Sequence, residues 1–93
     1  MLVVRDIFTA KPGQASALAK LISEVLADEP NRRVLTDLVS TFNTVVLEME
    51  VEDLAAYEKL REKRKAYAAK FREAGYTNLF YKGRREVLEV MKP

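Results

Sequence analysis

Val45-Val46-Leu47-Glu48-Met49-Glu50-Val51, running through Glu52-Asp53 into a helical pattern that begins at Leu54, decides how this chain is read. The segment alternates like a half-buried strand, and Asp53 stands where a helix needs a side-chain acceptor for its free amides. The same order occurs earlier in the chain. Val3-Val4-Arg5-Asp6-Ile7-Phe8 leads through Lys11-Pro12-Gly13 into an amphipathic helix reaching Leu26. At an offset of 42 residues, Val3-Val4 fall on Val45-Val46 and Leu18 falls on Leu60. Two strand–helix halves are therefore expected.

Working outward, strand one is expected over 2–9, and Pro12-Gly13 breaks the chain before a helix over 14–28. Leu18, Leu21, Ile22 and Val25 form one apolar stripe of that helix. Asp28-Glu29-Pro30-Asn31 ends it. Strand two, 33–40, turns through Ser40-Thr41-Phe42-Asn43 into strand three, 44–51, as a hairpin rich in β-branched residues. The second helix carries Leu54, Tyr57, Leu60, Tyr67 and Phe71 on one stripe, with Arg64 among them, and ends at Gly75. A further helical turn over 78–82 with Gly83 as its cap is expected before strand four, 84–91. The order is βαββαβ. With right-handed crossovers it closes as an α+β ferredoxin-like plait, a four-stranded antiparallel sheet with both helices on one face, in one domain over 1–93.

Composition excludes several functions. The 93 residues contain no Cys, no His and no Trp. That removes disulfides, thiolate nucleophiles, zinc–thiolate sites and the imidazole acid/base, along with haem or zinc ligation by His. No metal site and no cofactor are expected, because no motif spaces carboxylates as a calcium loop does. No stretch approaches the ~18 apolar residues of a membrane span, and no signal-peptide pattern opens the chain, so a cytoplasmic protein without a membrane partner is expected. Residues 53–93 carry eleven basic and six acidic side chains, against five and eight in residues 1–52. Glu58, Glu62 and Glu73 are interleaved with the basic residues, and no aromatic–basic motif appears, so a solvated helix face is favoured over a nucleic-acid surface.

The sheet face away from the helices is where function is sought. Val45, Leu47, Met49 and Val51 suit the helix side. The offset of 42 then sends Val4, Asp6 and Phe8 to the opposite face with Val46, Glu48 and Glu50. Val87, Glu89 and Met91 join them from strand four. Strand two is open between Leu35-Asp37-Val39 and Val34-Thr36-Leu38. Large apolar groups between carboxylates suit a sheet that packs on a second copy of itself and encloses a cavity.

The order βαββαβ, the Lys11-Pro12-Gly13 turn, the run Arg33-Val34-Leu35-Thr36-Asp37-Leu38, then Phe42-Asn43-Thr44-Val45-Val46-Leu47-Glu48, and Gly83-Arg84-Arg85-Glu86-Val87 resemble the dimeric α/β-barrel superfamily. Within it the chain is most similar to small NIPSNAP-like proteins, and more distantly to antibiotic-biosynthesis-type monooxygenases. The resemblance implies a homodimer whose sheets pack across a two-fold axis, with a site in the barrel or between sheet and helices. Asp6 takes the strand-one position where haem-degrading relatives keep an Asn. Their His and Trp have no counterpart here, so haem oxygenation of that kind is not expected.

The candidate pocket residues are Asp6, Phe8, Asp37, Glu48, Tyr57, Arg64, Tyr67 and Glu89. Asp6 and Glu48, facing one cavity, would raise one another's pKa and leave one poised as acid or base. Alternatively, each acid pairs with Arg5, Arg33 or Arg85 across the dimer, and this is the favoured expectation. Tyr57, Tyr67, Phe71, Phe80 and Tyr81 either line a pocket or fill a core. Arg64 either clamps a ligand carboxylate or snorkels past the sheet edge, the latter favoured. The expected function is a homodimer that binds a small hydrophobic or aromatic molecule in its barrel. A cofactor-independent monooxygenase using a carboxylate base, and a pure assembly module, are the alternatives, and whether the chain is an enzyme is left open.

Overall fold

The computed structural model describes residues 1–38 and 42–91. Strand β1 is Leu2–Ala10, helix α1 Ala15–Val25, β2 Arg32–Thr36, β3 Thr44–Val51, helix α2 Leu54–Glu73 and β4 Phe80–Glu89. They form one antiparallel sheet in the order β2-β3-β1-β4. This is the ferredoxin-like plait expected from the repeat, with β3 bounded as its alternation required.

Local chemistry explains most of the boundaries. Asp53 caps α2, its Oδ1 accepting from the Ala56 amide at 2.9 Å. Lys70 and Arg72 place positive charge at the other end, where the helix dipole is negative. Helix α1 ends at Val25, before the expected Asp28. Strand β2 stops at Thr36, while Val39, Ser40 and Thr41 of the expected strand and turn lie outside the described residues. Asn43 enters the left-handed region at φ 63° and delivers the chain into β3.

The expected helical turn over 78–82 is corrected. A single 3-10 turn, Tyr76–Asn78, follows Gly75, whose φ of 72° suits glycine. The chain is already strand at Phe80, and Gly83 is no cap but a mid-strand residue opposite Phe8. The ring of Phe8 accounts for this: a Cβ built on Gly83 would lie 3.0 Å from its Cδ1. Phe80 in turn meets the edge of Phe8, with centroids 5.0 Å apart.

The faces of β1 and β4 are also corrected. Directly opposed residues of an antiparallel pair share a face. Val4 lies opposite Met49, Asp6 opposite Leu47 and Phe8 opposite Val45. Val4, Asp6 and Phe8 therefore belong to the helix side, with Val87 and Glu89 of β4 beside them. An offset of 42 preserves parity, whereas the pairing requires an odd shift, and a one-residue slip turns every side chain over. On β2, Val34 shares the helix side and Leu35 the outer side.

The core lies between this face and the helices. It gathers Leu18, Ile22 and Leu26 with Val45, Leu47, Met49 and Leu60, all buried. Leu60 is the one buried residue of α2. The outer face carries Val3, Arg5 and Ile7, then Val46, Glu48 and Glu50, with Leu35 and Leu88 at 40% and 42% exposure. It mixes charge with apolar surface, with Val46, Glu48 and Glu50 of β3 as expected and with different residues of β1 and β4. No helix among the described residues is long and apolar enough to cross a membrane.

Candidate functional site

A cleft of about 550 Å³ opens between the sheet and α2. Helix α2 is charged over most of its surface, and the half-buried rings of Tyr67 and Phe71 face the sheet from it. The floor is Asp6, Phe8 and Leu47, one wall is Arg64, Tyr67 and Phe71, and Ile22 and Leu26 close the α1 side. Tyr76 and Phe80 complete an aromatic run, with Tyr76 centred 5.3 Å from both Phe71 and Phe80.

The charged end is built around Asp6, which is 7% exposed. Arg85 lies directly across the β1–β4 ladder, and its Nε donates to Oδ1 at 2.7 Å while Nη2 reaches Oδ2 at 3.5 Å. Arg64 descends from α2 and pairs with the same Oδ2. Its other terminal nitrogen has a methionine sulfur as acceptor, Met49 Sδ at 3.6 Å. Arg85 Nη1 donates to the Tyr57 hydroxyl at 3.3 Å. Burial pushes the Asp6 carboxyl above its ordinary pKa, against the opposing pull of Arg85.

The expected pocket residues divide into two sets. Asp6, Phe8, Arg64 and Tyr67 meet in the cleft, and Tyr57 stands behind it on Arg85. The hydroxyl of Tyr67 donates to Glu29 at 2.9 Å, which raises the phenol's pKa. Asp37, Glu48 and Glu89 lie elsewhere. Asp37 accepts from the Thr44 amide at 3.0 Å in the β2–β3 connection, and Glu89 is opposite Leu2 near the end of β4.

Glu48 is on the outer face, held by Arg5 Nε at 2.9 Å and by Arg33. Arg33 first, then Arg5, keep its carboxyl below the usual range, with burial opposing. Asp6 and Glu48 thus occupy opposite faces, and the like-charge pair facing one cavity is corrected to two separate carboxylate–arginine clusters. The arginine pairing favoured from sequence holds, within one chain. Arg64 meets a buried carboxylate where snorkelling was favoured. Arg85 and Tyr76 were not among the expected pocket residues. With Asp6 on the helix side, Arg85 follows from strand pairing, whereas nothing local in the sequence marks Tyr76.

No protein-family model matches the chain, and no curated protein matches it at a significant level. Solved structures resemble it over almost its whole length. A NIPSNAP family protein from Agrobacterium tumefaciens superposes with a TM-score of 0.79 at 15% identity, covering 97% of this chain and 85% of its own. A NIPSNAP domain protein from Burkholderia xenovorans gives 0.70 at 18% identity, covering 98% and 95%. A protein from Deinococcus radiodurans described as a putative antibiotic biosynthesis monooxygenase gives 0.67 at 13% identity, covering 100% and 95%. The chain has the ferredoxin-like fold that these NIPSNAP and antibiotic biosynthesis monooxygenase proteins share.

Proposed function

We propose that the chain binds a small apolar or aromatic molecule in the cleft between its sheet and α2. The observation that carries this reading is the division of the cleft into an aromatic wall and a charged end. Phe8, Phe71, Tyr76 and Phe80 offer ring surface, and Asp6, Arg64 and Arg85 offer fixed polar groups. Sites for small molecules are concave, mostly apolar and anchored by a few placed polar groups, and a volume of about 550 Å³ falls in their size range.

Titration with phenyl naphthylamine, a neutral dye that fluoresces in apolar surroundings, tests it. Saturable binding of one dye per chain is expected, abolished by Ala68→Trp, which fills the cleft from an exposed position on α2. Unsaturable binding, or binding that survives Ala68→Trp, would overturn the reading.

A homodimer joined through the outer sheet faces belongs to the same proposal. Val3, Ile7, Leu35, Val46 and Leu88 surround Glu48 and its two arginines. A second copy would cover apolar area that a domain of this size has difficulty burying alone.

An enzymatic reading has one specific observation in its favour, a carboxylate at the cleft floor whose pKa is raised by burial. With Glu48 on the outer face, Asp6 is the carboxylate base left in the cleft. Both of its oxygens are engaged by guanidiniums, which weakens it as a proton acceptor and favours binding over turnover.

A further inference from the structure

We infer that the ligand of this cleft is a monoanion, an aromatic or apolar body carrying one carboxylate or sulfonate-like group that Arg64 receives beside Asp6. The inference rests on the cleft reading above and adds the charge of the ligand to it.

The first ground is charge balance. Asp6 is shared by two guanidiniums, Arg64 from α2 and Arg85 from β4. One carboxylate neutralises one of them, so the charged end keeps one positive charge. Neighbouring ionisable groups do not cancel it. Tyr67 donates to Glu29, and Lys63 pairs with the same Glu29 at 3.7 Å. Arg84, which also borders the cleft, has the outer-face parity of β4, and its charge is matched by Glu86 at 3.7 Å. Tyr57 contributes a neutral hydroxyl to Arg85.

The second ground is the quality of the acceptors. Arg64 is largely buried, its side chain 18% exposed. One terminal nitrogen has the Asp6 carboxylate, while the other has a thioether sulfur at 3.6 Å. A thioether is a weak acceptor, and a charged oxygen is the strongest partner a guanidinium meets. A ligand oxyanion at this end would supply both the missing charge and the missing acceptor. A cationic ligand would meet net repulsion, and a neutral one would leave the guanidinium as it stands.

The third ground is the arrangement along the cleft. The charged end adjoins the rings of Phe8, Phe80 and Tyr76. A molecule that filled both regions would have a flat apolar body and a single acidic terminus.

Two dyes with one skeleton provide the test: anilinonaphthalene sulfonate, an anion, and phenyl naphthylamine, its neutral counterpart. The folded protein should bind the sulfonate about tenfold more tightly, the worth of one charge-assisted hydrogen bond. Arg64→Gln should bring the two dyes within about twofold of one another, and Arg64→Lys should restore part of the preference. Arg61→Gln, an equal charge change on the exposed side of α2, should leave the preference intact.

Equal binding of the two dyes by the native chain, or a preference that persists in Arg64→Gln, would overturn the inference and leave the cleft reading standing. Failure of both dyes to bind would overturn the cleft reading and this inference together. If Arg64→Gln does not fold, Asp6→Asn tests the same idea in reverse. Removing the carboxylate should increase the preference for the sulfonate, and an unchanged or smaller preference would overturn it.

Discussion

Helix α2 is fixed to the sheet through very little buried surface, and Leu60 measures how little. Of its 20 residues, Leu60 is the one buried, at 6% exposure. Leu54, on the same apolar stripe, is 67% exposed. Leu60→Ala removes three buried carbons, which at ~0.8 kcal/mol each amounts to about 2.4 kcal/mol of transfer free energy. In a closed core a cavity term would be added at roughly 24 cal/mol per Å³. Leu60 borders an open groove with Met1, Lys59 and Lys63, so water and flexible side chains can take up the vacated space. The total is therefore set at about 2.5 kcal/mol, a drop in Tm of about 10–20 °C for a domain of this size.

Leu54→Ala should cost about 0.5 kcal/mol or less. Urea unfolding followed by circular dichroism, with thermal melts alongside, measures both variants. Equal losses for Leu54→Ala and Leu60→Ala would refute the account of how α2 is attached. So would a loss at Leu60 below about 1 kcal/mol, since burial alone predicts more.

The two carboxylate clusters should respond to pH with opposite sign. Glu48 is held below its ordinary pKa, so its stabilisation is present above the unfolded value of about 4.3 and is lost as pH falls through the folded value. Asp6 is held above its ordinary pKa, so its contribution is complete below about 3.9 and is lost as pH rises through the folded value. In melts across acid pH, Glu48→Gln should flatten the acid-side loss and Asp6→Asn the loss toward neutrality; identical profiles for the two variants would contradict their placement. Gly83→Ala puts a carbon 3.0 Å from Phe8 Cδ1 and must displace the ring. It should cost about 1 kcal/mol in urea titration and weaken binding of the neutral dye. Ile7→Glu places charge on the apolar part of the outer face and should convert a dimer to a monomer in light scattering, with dye binding retained in each chain.

The fold was legible because its signals are local and repeated. Alternation from Thr44 to Val51, the cap at Asp53 and the stripe Leu18-Leu21-Ile22-Val25 each act within a few residues. Which face β1 presents is a matter of register, set by pairing between Leu2–Thr9 and Thr44–Val51, strands far apart in the chain. The offset of 42 assigned Asp6 to the wrong side for that reason, and the Asp6–Glu48 pair fell with it. Arg64 and Tyr67 were legible from the stripe of α2, whereas Asp6 and Phe8 were assigned to the outer face and join the cleft only once the strand parity is corrected. Arg85 depended on the same parity, and Gly83 read as a cap because glycine commonly ends helices. Its actual role, making room for the ring of Phe8, becomes visible once β1 and β4 are placed side by side.

The central claim is that the ligand site lies on the helix side of the sheet, within one chain. The most direct test is a crystal structure with a bromonaphthalene carboxylate, the bromine located by its anomalous scattering. The account predicts bromine in the cleft against Phe8, Phe71 and Phe80, with the carboxylate at Arg64. Bromine between the outer faces of two sheets, beside Glu48, would contradict it.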